Sequence, residues 1–190
     1  MEYFILFVSA IFVNNVVLAQ FLGICPFLGV SRKIDTAIGM GMAVTFVLTI
    51  ATILTFLVQK YLLDPYGIAY LQTIIFILII ASFVQMVEIV LKKVSPALYQ
   101  ALGLFLPLIS TNCAILGVAI LVIQKEFTLL QSIVFAASTA IGFALALIIF
   151  ACIREQLART SVQKALQGMP IALITAGLLA MAFMGFSGIV

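Results

Sequence analysis

There is no histidine in this sequence, no tryptophan, and only nine basic and six acidic side chains among 190 residues. Without histidine there can be no His-ligated haem, no His-rich zinc site and no imidazole acid–base catalysis. The charged fraction is 8%, against about 25% in an average soluble domain. So few charges cannot solvate a globular surface, which excludes a soluble enzyme, a nucleic-acid binder and a disordered chain. Three cysteines in such a setting are not a disulfide framework. What remains is apolar: 66% of the residues are hydrophobic and the mean hydropathy is +1.39. The composition is that of an integral membrane protein whose first partner is the lipid bilayer.

The few charges punctuate the chain. They leave uncharged stretches at 3–31, 36–59, 65–87, 94–124, 127–153 and 165–190. About 20 apolar residues cross a bilayer as helix, so each stretch spans once. The spacing predicts an all-α fold of six transmembrane helices. The N-terminus lacks the basic region of a signal peptide, and its apolar run is too long for one. Arg32, Lys33, Lys92, Lys93, Arg154, Arg159 and Lys164 fall in the first, third and fifth loops, leaving Lys60 and Lys125 for the others. The positive-inside rule therefore puts the odd loops in the cytoplasm and both termini on the outer side of a cell membrane. Tyr3, Tyr61, Tyr66, Tyr70 and Tyr99 sit near the span ends, as an aromatic belt requires.

The first and fourth spans share a pattern, C-x-x-L-G-V, at Cys25–Val30 and Cys113–Val118. Ala37-Ile38-Gly39-Met40 later resembles Ala140-Ile141-Gly142-Phe143 in the same order. These matches predict two three-helix repeats, 1–93 and 94–190. An odd number of crossings per half makes the repeats inverted, an arrangement typical of transporters. Both motif-bearing spans are interrupted, the first by Gly23, Pro26 and Gly29, the fourth by Pro107, Ser110-Thr111-Asn112 and Gly117. Irregular backbone at membrane depth survives only where protein buries it or water lines it. The first and fourth helices are therefore expected to be discontinuous and to meet. Straight helices would carry Cys25 about 33 Å and Cys113 about 30 Å toward opposite membrane faces. Only broken ones let the two thiols share a ligand.

Cys25 and Cys113 occupy matching places, whereas Cys152 has no counterpart and reads as packing. Thiolates suit iron–sulfur clusters, zinc or copper; without a metal, a buried thiol is a small hydrophobe. The matched pair beside two helix breaks favours a ligand role. Two thiols are half of the four that a [2Fe–2S] cluster takes, so a second chain would have to complete such a site. No carboxylate falls in mid-membrane. Asn14, Asn15, Thr111 and Asn112 are the candidate neutral ligands for an ion path, with helix-to-helix hydrogen bonding as the simpler role. No nucleotide loop or flavin-attachment motif is evident, so the chain carries no catalytic site of its own.

The stretches VNNVVLAQFLGICPFLGVS (13–31), SPALYQALGLFLPLISTNCAILGVA (95–119), IRE (153–155) and PIALITAGLLAMAFMGFSGIV (170–190) carry a resemblance over essentially the whole chain. The sequence resembles the membrane-protein family shared by Rnf ion-translocating ferredoxin:NAD+ oxidoreductases and Na+-pumping NADH:quinone reductases, and within it the A-type Rnf subunits. The resemblance implies two inverted three-helix halves and a paralogous E-type partner of opposite topology. It implies further Rnf subunits (B, C, D and G), with flavins only on those others. It also implies a [2Fe–2S] cluster shared with the partner, to which Cys25 and Cys113 would contribute two of four ligands. The expected role is an electron relay across a bacterial inner membrane coupled to Na+ or H+ movement. The alternatives are the E-type subunit of a Na+-pumping reductase, or a stand-alone inverted-repeat transporter.

Overall fold

A chain in lipid must satisfy its backbone polar groups internally, and helix is the regular secondary structure found in the described residues of the computed structural model, 2–67, 69–94, 106–160 and 167–185. Helix α1 (Glu2–Val8) runs on through a wide π turn, Ser9–Val13. An irregular stretch leads to the short α2, Ile24–Val30. The long α3, Ile34–Val58, continues through a second wide turn, Gln59–Leu63, and is followed by α4, Gln72–Val94. A short α5 (Leu106–Ser110) then breaks before α6, Cys113–Gln124. The chain ends in the long α7, Leu129–Arg159, and in α8, Met169–Met184.

Among the described residues, four helical stretches are long and apolar enough to cross a membrane: Ile34–Leu63, Gln72–Val90, Pro107–Gln124 and Leu129–Arg159. Two shorter apolar helices, Tyr3–Val13 and Met169–Met184, occupy the places of the first and sixth expected spans. The first apolar stretch is thus divided, but the break runs over 14–23: of the residues expected to interrupt it only Gly23 lies at the break, while Pro26 and Gly29 sit inside α2. Residues 95–105, including Tyr99, lie outside the described ones, as does Lys164.

The core forms where α3 and α7 lie against each other. Small and branched residues line it: Ala37, Val44, Leu48 and Ala51 on α3, and Ala136, Ala140, Ala146 and Leu147 on α7, all fully buried. Small side chains let helices approach closely, which replaces the hydrophobic drive that lipid does not provide. Phe27 of α2 stacks on Phe150 of α7 with ring centroids 4.3 Å apart, fixing α2 to this pair. Thr45, Thr49, Thr52 and Thr55 each return their hydroxyl to a carbonyl one turn back on α3, at 2.7–2.8 Å. Their polarity is thereby hidden within the helix. Thr128 starts α7, donating its N–H to Gln131 Oε1 at 3.0 Å.

Candidate functional site

The site is built from the two interruptions. After the π turn, the Asn14 N–H closes on the Ser9 carbonyl at 2.8 Å, and the helix ends. Asn15, 1% exposed, makes the bonds that the helix leaves open. Its Nδ2 donates to the carbonyls of Ile11 (3.2 Å) and Gly142 (2.9 Å), and its Oδ1 accepts from the N–H groups of Val17 (3.1 Å) and Leu18 (3.4 Å). The bond to Gly142 requires α7 to come within backbone distance of α1. A Cβ on Gly142 would stand 3.1 Å from Ile11 Cα, so only glycine fits there unshifted.

The chain then turns through Phe21 (φ +56°) and Gly23 (φ +81°), both left-handed. Glycine adopts such a φ without steric cost. A Cβ on Gly23 would also meet Phe143 Cε2 at 2.9 Å, Asn112 Oδ1 at 3.0 Å and Ala114 Cβ at 3.1 Å. Gly23 therefore lies directly on the second interruption, and its N–H donates to Cys113 Sγ at 2.9 Å. Two residues later stands Cys25, in the first turn of α2.

The second interruption is held by its own polar groups. Thr111 Oγ1 and Ser110 Oγ donate to the Pro107 carbonyl at 3.0 and 2.9 Å. Asn112, 3% exposed, caps α6 by accepting the Ala114 N–H at 3.0 Å. That bond fixes which amide atom is oxygen, leaving Nδ2 buried without a partner among the described residues. Each motif glycine also meets the other half. Leu22 lies over Gly117, and Leu108 Cδ1 stands 3.9 Å from where a Cβ on Gly29 would be.

The structure thus brings the Cys25 and Cys113 segments together, and both thiols are exposed on the isolated chain. Asn15 has both amide hydrogens and its carbonyl engaged within the chain. Asn14 is exposed and donates to Ser9 Oγ at 3.2 Å. The open atom of Asn112 is a donor, which suits an anion, a sulfur or water rather than a cation. Cys152, expected to be packing, is exposed on α7. No group of three or more His, Cys, Asp or Glu side chains able to hold a metal occurs among the described residues. Sequence reading missed Gly142 as the acceptor for Asn15; the signal was its place in the repeated Ala-Ile-Gly motif.

Residues 3–190 match the family described as Rnf-Nqr subunit, membrane protein. The chain is 60% identical over 181 residues to the A subunit of the Na(+)-translocating ferredoxin:NAD(+) oxidoreductase complex of Acetobacterium woodii, covering 95% of this chain and 94% of that one. It is 59% identical to the A subunit of the ion-translocating oxidoreductase complex of Syntrophotalea carbinolica, covering 98% of this chain and 96% of that one. For the corresponding A subunit of Pseudoalteromonas translucida the identity is 56%, over 100% of this chain and 98% of that one. With two broken helices joined by the Gly23 N–H bond to Cys113 Sγ and a family match spanning nearly its whole length, the chain belongs to the Rnf-Nqr family of membrane-protein subunits.

Proposed function

We propose that this chain is the A-type membrane subunit of an ion-translocating ferredoxin:NAD+ oxidoreductase, and that Cys25 and Cys113 hold half of a [2Fe–2S] cluster shared with a paralogous E-type subunit. The observation that carries this reading is the Gly23 N–H bond to Cys113 Sγ, which joins the two thiol-bearing interruptions. The residues fit such a group. Cys25 and Cys113 are both exposed on the chain, where a second protein can complete the ligand set. The buried Asn112 Nδ2 beside Cys113 lacks an acceptor among the described residues. A bound cluster supplies one-electron transfer without proton chemistry. Gly23 orients the Cys113 sulfur and stabilises negative charge on it, as hydrogen-bond donors around a metal site do. The packed α3–α7 pair excludes water from the chain's interior behind the interruptions.

The reciprocal contacts of Leu22 with Gly117 and Leu108 with Gly29 support the reading of 1–93 and 94–190 as inverted repeats. That arrangement offers ion movement a two-state element, one half shifting against the other as the site gains or loses an electron. The charge asymmetry supports termini on the outer side. The A. woodii relative is named for Na+ translocation, and we take Na+ as the transported ion.

Ferredoxin-driven NAD+ reduction and Na+ uptake in membrane vesicles test the proposal. Cys25→Ser and Cys113→Ser should each abolish both, while Cys152→Ser leaves them unchanged. Wild-type electron flow in the Cys25→Ser, Cys113→Ser double variant would refute it.

A further inference from the structure

We propose that the chain holds an anionic phospholipid, its phosphate between Arg32 and Arg154 and an acyl chain in the groove between α8 and the α2 segment. Two adjoining cavities open where α7 ends and α8 begins. One, of 410 Å³, is lined by Arg32, Arg154, Ala158, Gly168 and Met169. The other, of 280 Å³, shares Arg154, Ala158 and Gly168 and extends to Thr160 and Ile171. Two guanidinium groups therefore face a common space, and among the described residues no carboxylate lines either cavity.

Among the described residues, Arg159 pairs with Glu155 at 2.9 Å, and no carboxylate lies within ion-pair distance of Arg32 or Arg154. Arg154 is held in place by one nitrogen. Its Nη1 donates to the Leu28 carbonyl (2.8 Å) and Ser31 Oγ (2.7 Å), and its guanidinium stands 5.7 Å from the Phe150 ring centroid. A planar guanidinium so fixed has donors left for a phosphate. Like charges in one partly buried space call for an anion between them.

The apolar half of the ligand follows from what lies beside the cavity. Leu28, whose carbonyl Arg154 binds, also lines a 170 Å³ groove with Phe21, Ile24, Leu173, Ala176 and Gly177. Met169, at the cavity, is about 6 Å along the helix axis from Leu173, in the groove. Nothing stands within 4 Å of where a Cβ on Gly177 would be, so the groove is open there. A basic cavity beside an apolar groove on the same helix matches a phosphate joined to a hydrocarbon chain. Basic pockets between helices at a membrane surface bind lipid headgroups in this way. Free phosphate shares the headgroup chemistry but leaves the groove empty.

The test is native mass spectrometry of the assembled complex, delipidated and then offered phosphatidylglycerol, phosphatidylcholine or inorganic phosphate. Phosphatidylglycerol should be retained one per chain, and phosphatidylcholine about fivefold less, the factor expected for one basic contact. Arg32→Gln should lower phosphatidylglycerol retention by about the same factor. Gly177→Leu should lower retention of both lipids, and millimolar inorganic phosphate should displace neither. Equal retention of the two lipids, or wild-type retention by Arg32→Gln, would overturn the proposal. So would displacement by inorganic phosphate, or crosslinking of residue 32 to an acidic segment of a neighbouring protein in the complex.

Discussion

At Asn15 one side chain terminates a membrane helix without leaving a polar group bare. It receives two N–H groups from the turn that follows and donates to the carbonyls of Ile11 and Gly142. An orphaned buried polar group costs about 1–3 kcal/mol, and Asn15→Ala orphans several together. The substitution should destabilise the chain by about 3 kcal/mol, measured as a lower thermal midpoint in detergent. Asn15→Asp keeps the acceptor but sets an oxygen against the Ile11 and Gly142 carbonyls, and should lose at least as much. Gly23 joins the same turn to the thiol. Gly23→Ala adds a methyl group 2.9 Å from Phe143 at a φ of +81°. Overpacking of this kind costs about 1–3 kcal/mol, and it should also pull the N–H away from Cys113. The check is a changed EPR line shape or midpoint potential in the assembled complex, with Gly23→Ala, Phe143→Leu partly restoring both.

Among the elements, the two broken helices were the most legible, because their cause is local. Short polar residues and glycine mark both breaks, Asn14, Asn15 and Gly23 in the first and Thr111 and Asn112 in the second, whereas Pro26, Gly29, Pro107 and Gly117 lie inside the short helices beside them. The long α3 and α7 were legible for the same reason, from uninterrupted apolar runs between charges. What joins these elements was not legible. Asn15 and Gly142 are 127 residues apart, and Arg154 and Leu28 are 126 apart. No periodicity or capping pattern reports such a pair. The repeated Ala-Ile-Gly motif marked Gly142 as special but not what it contacts. Cys152 has no packing partner to be read from the sequence, and it is exposed on α7 of the isolated chain. The start of α7 offers a check on element stability. The Thr128 hydroxyl and N–H both donate to Gln131 Oε1, at 3.1 and 3.0 Å. Thr128→Ala should cost about 1 kcal/mol, and Gln131→Ala a similar amount, read as earlier thermal unfolding with no change in the redox signal.

Taken whole, the molecule is a core of two long helices with much of its apolar surface turned outward. Phe4, Tyr61, Leu78, Met86, Leu178 and Met181 are all exposed. In a bilayer such surface meets lipid or another protein, and the two thiols on it give the chain a reason to have a partner. A chain expressed alone in membranes, carrying Cys152→Ser, should react with maleimide at Cys25 and Cys113. The same chain in the assembled complex should be protected at both. Protection in the isolated chain would mean that lipid or the chain itself covers the thiols.

The most direct measurement of the central claim is iron content with EPR spin quantification on the complex and on this chain purified alone. The wild-type complex should show a reducible [2Fe–2S] signal shared between this chain and its partner. That signal should be lost in Cys25→Ser and in Cys113→Ser, and the isolated chain should hold no iron. Full signal in the Cys25→Ser, Cys113→Ser double variant would contradict the claim.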